Sequence, residues 1–494
     1  MAITLEQLAH GLKRQIFNAQ HRSVIITGIT TDSREVTPGS LFVALPGMTG
    51  HGLSYIDDAK RRGAVAVAVS EPLTQTQHRR IGSLPCLVIR DLVALLPELS
   101  GRVYNFPARQ LRLHGITGTN GKTTTAYMLA CILKSQGHQV GFWTTNQVVG
   151  VLEPFRPTMT TPHAPALHRY LREARDRGAE DVILEVSSHA LTLNRIGGLT
   201  FACAAITNIT PDHLDFHGTW EAYVAAKVSL MQYIQAGGSI ALNADDQLLA
   251  ELAWSADLPV ATFGFSDDAH LRGEIVTSER NFTIWRCQIE GHPAGQFTLP
   301  VAGKHNLANA LCAISMAFAL GIEIESAAGA LERFVPAQRR LQTVTLGTTT
   351  FMTDVAMNRG SYDAVIQAVS DLRRPFVVVN AIRGNRGTGV NSDIAATFAH
   401  WNEQLNFAPV IVSLSRHSVE RLAVDYRVRL NEYEAFSATA QKLGLAIQVF
   451  DELEDAIDAA LDRLNPHGVL LLLGTFGMDE GLDLAVQKWN ERAR

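Results

Sequence analysis

The stretch Gly118-Thr119-Asn120-Gly121-Lys122-Thr123-Thr124 constrains the fold of this chain more than any other part of its sequence. It follows an apolar segment, residues 111–116, and opens a segment of helical character, residues 123–133. A strand, a glycine loop and a helix start in this order form a cradle whose backbone N–H groups point at phosphate oxygens. Lys122 is then placed to reach the terminal phosphates, and the Thr123 hydroxyl to bind Mg²⁺. The sequence therefore predicts an ATP site.

The loop is a shorter variant of the general phosphate-loop pattern, because position 116 is isoleucine and the nearest preceding glycine is Gly115. A glycine turn followed by a surface lysine is the alternative interpretation. The coincidence of strand, loop and helix signals favours the phosphate loop.

Length and segment pattern predict three α/β domains. A chain of 494 residues exceeds what one hydrophobic core usually organises. Strand-like segments alternate with helix-like ones, which is typical of parallel sheets covered by helices. We expect a small N-terminal α/β domain over 1–105, a central phosphate-loop ATPase domain with a parallel sheet over 106–336, and a C-terminal Rossmann-like domain over 337–494. Residues 274–297 are expected to form a hairpin inserted between helices.

Composition excludes several classes of protein. The formal net charge of -5 argues against general nucleic-acid binding, which requires a basic surface. No run of about 18 apolar residues occurs, and the N-terminal residues do not resemble a signal peptide. Five scattered cysteines are typical of buried thiols in a reducing compartment. We expect no membrane span and a cytoplasmic protein.

Two further groups of polar residues follow predicted strands. Glu185 ends the apolar segment 181–186, where ligands bind in open parallel sheets, and its carboxylate could complete the coordination of Mg²⁺. A solvated acid at a strand end is the alternative. Residues 212–218 are dense in Asp and His, and His213 is a candidate ligand of a second metal ion. Lys227 lies on an amphipathic helix, where a lysine is usually solvated.

Taken together, these segments closely resemble the Mur ligase family, and its MurE type in particular, which adds an amino acid to a UDP-N-acetylmuramoyl dipeptide. The resemblance spans roughly residues 25–345. Besides the phosphate loop, the segments are Thr31-Asp32-Ser33-Arg34, Pro38-Gly39-Ser40-Leu41-Phe42-Val43-Ala44, Thr160-Thr161-Pro162, Glu185-Val186-Ser187-Ser188-His189, Thr207-Asn208, Asp212-His213-Leu214-Asp215, Ala225-Ala226-Lys227 and Gly303-Lys304-His305-Asn306-Leu307-Ala308-Asn309.

The resemblance implies a role for each matching residue. Lys122 and Thr123 would contact ATP and Mg²⁺, and Lys227 would react with CO₂ to give a carbamate, an anionic oxygen ligand suited to a hard cation. Thr123, Glu185, His213 and Lys227 would be the metal ligands. The adenine side would be held by His305, Asn306 and Asn309, the γ-phosphate by Arg340 and the ribose by Asp354. The UDP-sugar substrate would be held by Ser33, Thr161, Ser187 and Arg195.

The implied activity is an ATP-dependent ligase of peptidoglycan synthesis. A substrate carboxylate attacks the γ-phosphate to give an acyl phosphate and ADP, and an amine then displaces phosphate to form an amide. The catalytic residues would be Lys122, Lys227, His213 and Arg340. The partners would be small-molecule substrates, a UDP-muramoyl-peptide-like carboxylate and an amino acid. The protein is expected to be a monomer.

The third domain departs from the MurE pattern. Asp-Tyr-Ala-His-Thr-Pro becomes Asp354-Val355-Ala356-Met357-Asn358-Arg359, and the signature of the diaminopimelate enzymes becomes Ser413-Leu414-Ser415-Arg416. Gly-Lys-Gly-His-Glu becomes Gly474-Thr475-Phe476-Gly477-Met478. The usual amino-acid pocket is therefore expected to be absent. Arg383 and Arg386 stand on a glycine-flexible turn and could clamp a carboxylate or phosphate; two solvated loop arginines are the alternative.

Three other interpretations stay open at this point. The chain could be a MurE-like ligase of a side pathway with a different acceptor, or a ligase similar to folylpolyglutamate synthase, which the Thr-Asp-Ser-Arg segment argues against. It could also be a catalytically weakened homologue that binds nucleotide as a scaffold. The set Lys122, Thr123, Glu185, His213 and Lys227 opposes that last interpretation.

Overall fold

The computed structural model describes residues 3–12, 14–18, 22–46, 51–279, 281–385, 387–407, 409–420 and 425–492. The strands in these ranges form a two-stranded pair and three larger sheets of five, ten and six strands. The predicted α/β class with three domains is confirmed, whereas the positions of the domain boundaries remain predictions.

The first large sheet has the strand order β2-β7-β6-β5-β4, in which only the β2–β7 pair is antiparallel. Residues 64–69 alternate Ala and Val, and five of the six are buried, which suits an inner strand of a parallel sheet. The strands are β1 (Ile3–Thr4), β2 (Arg14–Phe17), β3 (Ile25–Ile26), β4 (Gly28–Thr30), β5 (Ser40–Ala44), β6 (Ala64–Val69) and β7 (Cys86–Ile89), and the helices are α1 (Leu5–Leu8), α2 (Ile56–Arg61), α3 (Gln75–Ile81) and α4 (Leu92–Val103).

The central sheet has ten strands in the order β10-β9-β11-β8-β12-β13-β14-β15-β16-β17. The strands are β8 (Arg112–Thr117), β9 (Val140–Trp143), β10 (Val148–Val149), β11 (Asp181–Glu185), β12 (Phe201–Ile206), β13 (Ile234–Asn243), β14 (Val260–Gly264), β15 (Leu271–Ser278), β16 (Thr283–Ile289) and β17 (His292–Leu299). The helices are α5 (Lys122–Ser135), α6 (Ala164–Asp176), α7 (Ser188–Thr192), α8 (Leu214–His217), α9 (Trp220–Val228), α10 (Gln247–Ser255), α11 (Lys304–Ala319) and α12 (Ile324–Ala330).

Strand β8 lies between β11 and β12, and all three are parallel. Glu185 pairs with Ile116 in this register, and Ile206 pairs with Thr117. The carboxyl ends of the three strands therefore meet at one edge of the sheet, which is where open parallel sheets bind ligands.

The antiparallel segment was predicted as a hairpin between helices, but the structure shows three strands that extend the sheet. Strand β15 pairs in parallel with β14 through Phe263 and Leu271, and β16 and β17 follow in antiparallel order. The side chains of Trp285 and Cys287 are buried in the central core, so one face of these strands packs against the rest of the central domain.

The third sheet has the order β18-β19-β23-β20-β21-β22, and only β18–β19 is antiparallel. Its middle strand, Val-Leu-Leu-Leu-Leu, is buried throughout, as expected for a strand with helices on both faces. The strands are β18 (Gln342–Leu346), β19 (Thr349–Asp354), β20 (Phe376–Ala381), β21 (Val410–Ser413), β22 (Ile447–Phe450) and β23 (Val469–Leu473), and the helices are α13 (Arg359–Ser370), α14 (Gly387–Leu405), α15 (Arg416–Glu420), α16 (Leu430–Lys442), α17 (Leu453–Arg463) and α18 (Gly481–Arg492). Among the helices of the described ranges, none has the length and apolar character needed to cross a bilayer.

A buried polar cluster closes the amino-terminal end of the central sheet. Asp181 is buried, and its carboxylate accepts hydrogen bonds from His114 Nε2 at 2.8 Å and Arg112 Nη2 at 2.7 Å. Burial by itself would raise the pKa of Asp181, but the bonds from His114 and Arg112 outweigh it and lower the pKa.

We expect Asp181→Asn to lower the free energy of unfolding by about 2 kcal/mol at neutral pH, because it removes one partner of a buried charge-assisted cluster. A carboxyl with a lowered pKa contributes stability above its ordinary pKa of about 4, and that contribution is lost as the pH falls through the folded value. Urea unfolding at pH 7 and at a series of acidic values measures the effect. The difference between wild type and variant should shrink below about pH 4, and Asp176→Asn, an exposed acid, is the control.

Candidate active site

The phosphate-loop candidate follows β8 and packs closely on its neighbours. A Cβ atom at Gly118 would lie 1.9 Å from Thr207 Oγ1, and one at Gly121 would lie 2.2 Å from Asn309 Oδ1. Both glycines also have positive φ, +139° and +90°. The loop is held from β12 as well, since Thr119 N donates to Asn208 O at 2.9 Å. Glycine is therefore required at both positions, by the backbone conformation and by the close packing of the loop against Thr207 and Asn309.

We expect Gly118→Ala to destabilise the central domain by about 3 kcal/mol, because it combines backbone strain with a collision against Thr207. The matched control is Gly137→Ala, where φ is also positive but nothing lies within 4 Å of the added carbon, so a loss of about 1 kcal/mol is expected. Thermal unfolding measures both. Equal losses in the two variants would show that packing at the loop is not required.

Two lysines meet at the same backbone carbonyl. Lys122 Nζ donates to Gly118 O at 2.9 Å and Lys227 Nζ to the same oxygen at 2.7 Å. Burial lowers the pKa of Lys122 and lowers that of Lys227 to well below its ordinary value, and the nearby Lys122 charge lowers the latter further. The Tyr223 ring centroid lies 4.8 Å from Lys227 Nζ. Lys227 is therefore held uncharged more readily than an exposed lysine.

Acidic and imidazole side chains face Lys122 from the neighbouring strand ends. Glu185 is buried, and its carboxylate accepts hydrogen bonds from the N–H and the hydroxyl of Thr145 at 3.1 and 2.8 Å. Asp212 accepts a hydrogen bond from Asn358 Nδ2 at 2.9 Å. His213 lies beside it, with Nε2 at 3.8 Å from Asp212 Oδ2. Burial raises the pKa of Asp212, but the His213 charge and the Asn358 bond lower it overall.

Two cavities adjoin the loop. The first, here called the Lys122 cavity, has a volume of about 220 Å³ and the second, called the Asn309 cavity, about 130 Å³. The Lys122 cavity is lined on the central-domain side by Thr119, Asn120, Gly121, Lys122, Thr123, Thr124, Thr145, Arg156, Pro157, Thr158, Met159, Thr160, Glu185, Ser187, Asp212 and His213, and beyond these by Arg340, Val355, Met357, Arg383, Gly384, Tyr426, Thr475 and Phe476.

The Asn309 cavity brings together the residues predicted for the nucleoside. These are His305, Asn306, Asn309 and Asp354. The loop residues Asn120, Gly121 and Thr124 and the predicted γ-phosphate residue Arg340 line the same cavity. Arg340 lines both cavities, and its Nη2 donates to Thr123 Oγ1 at 3.2 Å. Asp354 accepts a hydrogen bond from Leu341 N at 2.8 Å, and burial raises its pKa. Arg340 lies just before β18 and Asp354 ends β19, so the two cavities lie between the central and third domains.

The predicted substrate residues fall in different places. Thr161 Oγ1 donates to Glu185 O at 2.7 Å and Arg195 Nη1 donates to Thr161 O at 2.9 Å, so both brace the end of β11. Ser187 lines the Lys122 cavity. Ser33 lies in the first domain, where it is buried and hydrogen-bonds Asp58, and it is not brought to either cavity. Arg383 lines the Lys122 cavity, whereas Arg386 lies outside the described residues.

Three residues at the site were not predicted from the sequence. Tyr426 and Phe476 line the Lys122 cavity, and Asn358 contacts its lining residue Asp212. Asn358 bonds Asp212 and also accepts a hydrogen bond from Asn120 Nδ2 at 3.1 Å, which links the third domain to the loop. The sequence signal at Asn358 indicates a helix cap, and it does begin α13. Phe476 and Tyr426 carry no signal of this kind. Their rings stack with centroids 4.0 Å apart, although the two residues are far apart in sequence.

A second link between the domains lies beside this ring pair. Arg156 Nη1 donates to Asp479 Oδ2 at 2.8 Å, and the Arg156 guanidinium lies 5.3 Å from the Phe476 ring centroid. Arg339, in the segment that joins the domains, also pairs with Asp479. The closed arrangement of the two domains is thus held by charged groups from both.

The donor set suits a hard cation and phosphate oxygens. The Thr123 hydroxyl and the Glu185 carboxylate are oxygen ligands of the kind that Mg²⁺ prefers, and His213 adds one imidazole nitrogen. Lys122, Arg340 and Arg383 supply three cationic groups around the same cavity. Such an arrangement can neutralise two anions that approach each other.

Comparison with known proteins places this geometry in context. The profile of the Mur ligase middle domain matches residues 116–317, and that of the Mur ligase family catalytic domain matches residues 25–93. A UDP-N-acetylmuramoyl-L-alanyl-D-glutamate–2,6-diaminopimelate ligase from Streptomyces coelicolor is 33% identical over 470 residues, which cover 94% of this chain and 90% of the relative. A protein of the same name from Streptomyces avermitilis is 31% identical over 471 residues, covering 94% and 90%.

Solved structures show the same fold along almost the whole chain. MurF from Acinetobacter baumannii superposes with a TM-score of 0.73 at 19% identity, covering 99% of this chain and 98% of that one. MurF from Thermotoga maritima in complex with ADP superposes with a TM-score of 0.66 at 18% identity, covering 94% and 98%.

Proposed function

This chain belongs to the Mur ligase family, MurE type, and is an ATP-dependent acid–amino-acid ligase of peptidoglycan synthesis; from that premise we propose that the Lys122 cavity joins an amino acid to a UDP-N-acetylmuramoyl-peptide-like carboxylate. One observation supports this most strongly. Lys122, Glu185 and His213 line the same cavity as Arg340 and Arg383, so cations and metal-type ligands from two domains surround one space.

We propose that ATP spans the two cavities. The loop of residues 118–124 would hold the phosphates through its backbone N–H groups and Lys122. The Asn309 cavity would hold the nucleoside, with His305, Asn306 and Asn309 on the base side and Asp354 on the ribose. Arg340 lines both cavities and would contact the γ-phosphate.

We propose that Thr123, Glu185, His213 and a carbamate on Lys227 hold Mg²⁺. When bound, the ion would neutralise phosphate charge and polarise the phosphoryl group. Lys227 would add to CO₂ through its uncharged amine, forming an N–C bond and releasing a proton. The lowered pKa of Lys227 favours this because only the uncharged amine has the free electron pair. The carbamate also removes a cation that Lys122 would repel.

The chain's own residues would act mainly by neutralising and positioning. The substrate carboxylate forms an O–P bond with the γ-phosphate while the bond to ADP breaks, and Lys122 and Arg340 offset the negative charge that accumulates. The amine then forms the C–N bond, phosphate leaves and the amine loses a proton. Closure of the third domain, held by Asn358 and Arg156, would exclude water that could hydrolyse the acyl phosphate.

The remaining substrate contacts would come from the first domain, from the end of β11 and from the turn after β20. Ser33, Thr161, Ser187 and Arg195 would hold the UDP-sugar, and Arg383 and Arg386 would hold a carboxylate. Thr161 and Arg195 would do so partly through the end of β11 that they brace.

Amino-acid-dependent phosphate release tests the function. The purified chain is given ATP, Mg²⁺, UDP-N-acetylmuramoyl-L-alanyl-D-glutamate or the corresponding tripeptide, and a panel of amino acids. We expect release that needs the UDP-peptide and one amino acid together, with an amide product of the corresponding mass. ATP binding without release under any combination would instead support a nucleotide-binding scaffold.

A further inference from the structure

We propose that the third-domain wall of the Lys122 cavity selects an amine substrate that has one carboxylate and an uncharged, apolar side chain, and that it disfavours a diamino acid. This inference rests on the proposed function, because it concerns the second substrate of the same site. It differs from the substrate that the names of the Streptomyces relatives give for those proteins.

The wall presents an apolar surface built around two aromatic rings. Phe476 and Tyr426 stack with an interplanar angle of 20°, and both are half-buried, so part of each ring remains open to the cavity. Met357 and Val355 lie on the same side. A side chain that packs here loses contact with water and gains aromatic and thioether contacts, which favours an apolar or aromatic group.

The wall lacks a partner for a second ammonium group. Its described residues are Val355, Met357, Arg383, Gly384, Tyr426, Thr475 and Phe476, and none is acidic. The sequence adds no acid at 386 or at 421–424.

The acids near the wall in sequence are directed elsewhere. Asp354, next to Val355, accepts a hydrogen bond from Leu341 N and lines the Asn309 cavity instead. Asp479 accepts from Arg156 and Arg339, and Asp425 pairs with Arg427. A second ammonium would be buried without a counter-charge on this side, and such burial is costly.

The wall does offer one fixed cation for a carboxylate. Arg383 is nearly buried, and its Nη1 donates to Met357 O at 2.6 Å. Its backbone is held on both sides by the buried Asn391, which accepts from Arg383 N at 3.3 Å and donates to Arg383 O at 2.9 Å. A cation fixed in this way binds a carboxylate without first losing conformational freedom.

The turn after Arg383 is anchored by a buried acid. Glu432 accepts hydrogen bonds from Gly387 N at 2.9 Å and Asn385 N at 3.3 Å. The Glu432 carboxylate therefore faces the backbone of the turn. Glu432 does not line the Lys122 cavity. The wall therefore combines one anchored guanidinium with an apolar surface.

A competition panel tests the proposal. Each of L-leucine, L-phenylalanine, D-alanyl-D-alanine, L-lysine and meso-2,6-diaminopimelate is supplied with ATP, Mg²⁺ and the UDP-peptide, and phosphate release and product mass are measured. We expect at least a 10-fold higher kcat/KM for one of the apolar amines than for either diamino acid. A preference for lysine or diaminopimelate would overturn the inference and leave the ligase function standing. Absence of release with every amine would overturn the proposed function itself.

Variants of the ring pair separate recognition from folding. Phe476→Ala should raise KM for the preferred amine about 10-fold and leave KM for ATP unchanged, because ATP contacts the other side of the site. Phe476→Glu should shift the kcat/KM ratio toward the diamino acids by adding the missing counter-charge. Phe155→Ala, a half-exposed ring outside the cavity, is the control and should change neither KM. An equal rise in both KM values for Phe476→Ala would overturn the assignment.

Discussion

Replacing Lys122 with alanine is expected to reduce amide formation by about 10³-fold or more. The side chain lines the cavity beside Glu185 and Asp212, where two anionic substrates must meet, and removing its charge leaves their repulsion uncompensated. Steady-state phosphate release with saturating ATP, UDP-peptide and amine measures the loss. The fall should appear in kcat, because the charge acts most strongly in the transition state.

The matched control is Lys442→Ala, an exposed lysine in the last turn of α16, which should ligate at the wild-type rate. Thermal unfolding of Lys122→Ala should stay near that of wild type, since Gly118 O keeps its hydrogen bond from Lys227 Nζ and the Glu185 carboxylate keeps those from Thr145. A Lys122→Ala enzyme that ligated at an unchanged rate would mean that the reaction takes place elsewhere.

The second large effect is expected at Lys227. Lys227→Ala should lower kcat by about 10²-fold or more, because the proposed carbamate would contribute a second anionic oxygen ligand besides the Glu185 carboxylate. Short carboxylic acids such as acetate or propionate should restore part of the activity to this variant, since their carboxylate can occupy the vacated space. Wild-type enzyme should gain nothing from the same additives.

The carbamate itself can be observed apart from activity. Wild-type protein equilibrated with ¹³C-bicarbonate should give a carbonyl resonance that Lys227→Ala lacks, and Lys134→Ala, a lysine on the exposed side of α5, should retain it. The Lys227 amine must be uncharged to react with CO₂. The carbonyl signal should therefore weaken as the pH falls, because a proton then occupies the electron pair of the amine. A wild-type spectrum without this resonance, together with no rescue by acids, would leave Lys227 a structural residue.

The sequence was most informative where function depends on local pattern. The loop of residues 118–124 is recognisable because its glycines, lysine and threonine must be adjacent to work. Glu185 was found for a related reason, since the end of a parallel strand is a place where ligands bind. The parallel sheets followed from buried runs such as residues 469–473.

Features that depend on contacts between segments distant in sequence could not be predicted from the sequence. Tyr426 lies in the segment before α16 and Phe476 follows β23, so their rings stack only because the fold of the third domain brings these two segments together. Asn358 has the sequence signal of a helix cap, and its bond to Asp212 exists only in the closed arrangement. The antiparallel strands β15–β17 were recognised as strands, but their attachment to the sheet edge depends on the single parallel pairing with β14.

The division of the Lys122 cavity between two sheets has an evolutionary meaning. The loop, Glu185, His213 and Lys227 all belong to the central sheet and its helices, whereas Met357, Tyr426 and Phe476 belong to the third. Substitutions that change which amine is attached can accumulate in the third domain without altering the use of ATP by the central domain. A lineage can therefore change the amino acid in its cell wall by substituting a few side chains of the third domain, while the ATP-binding residues of the central domain stay the same.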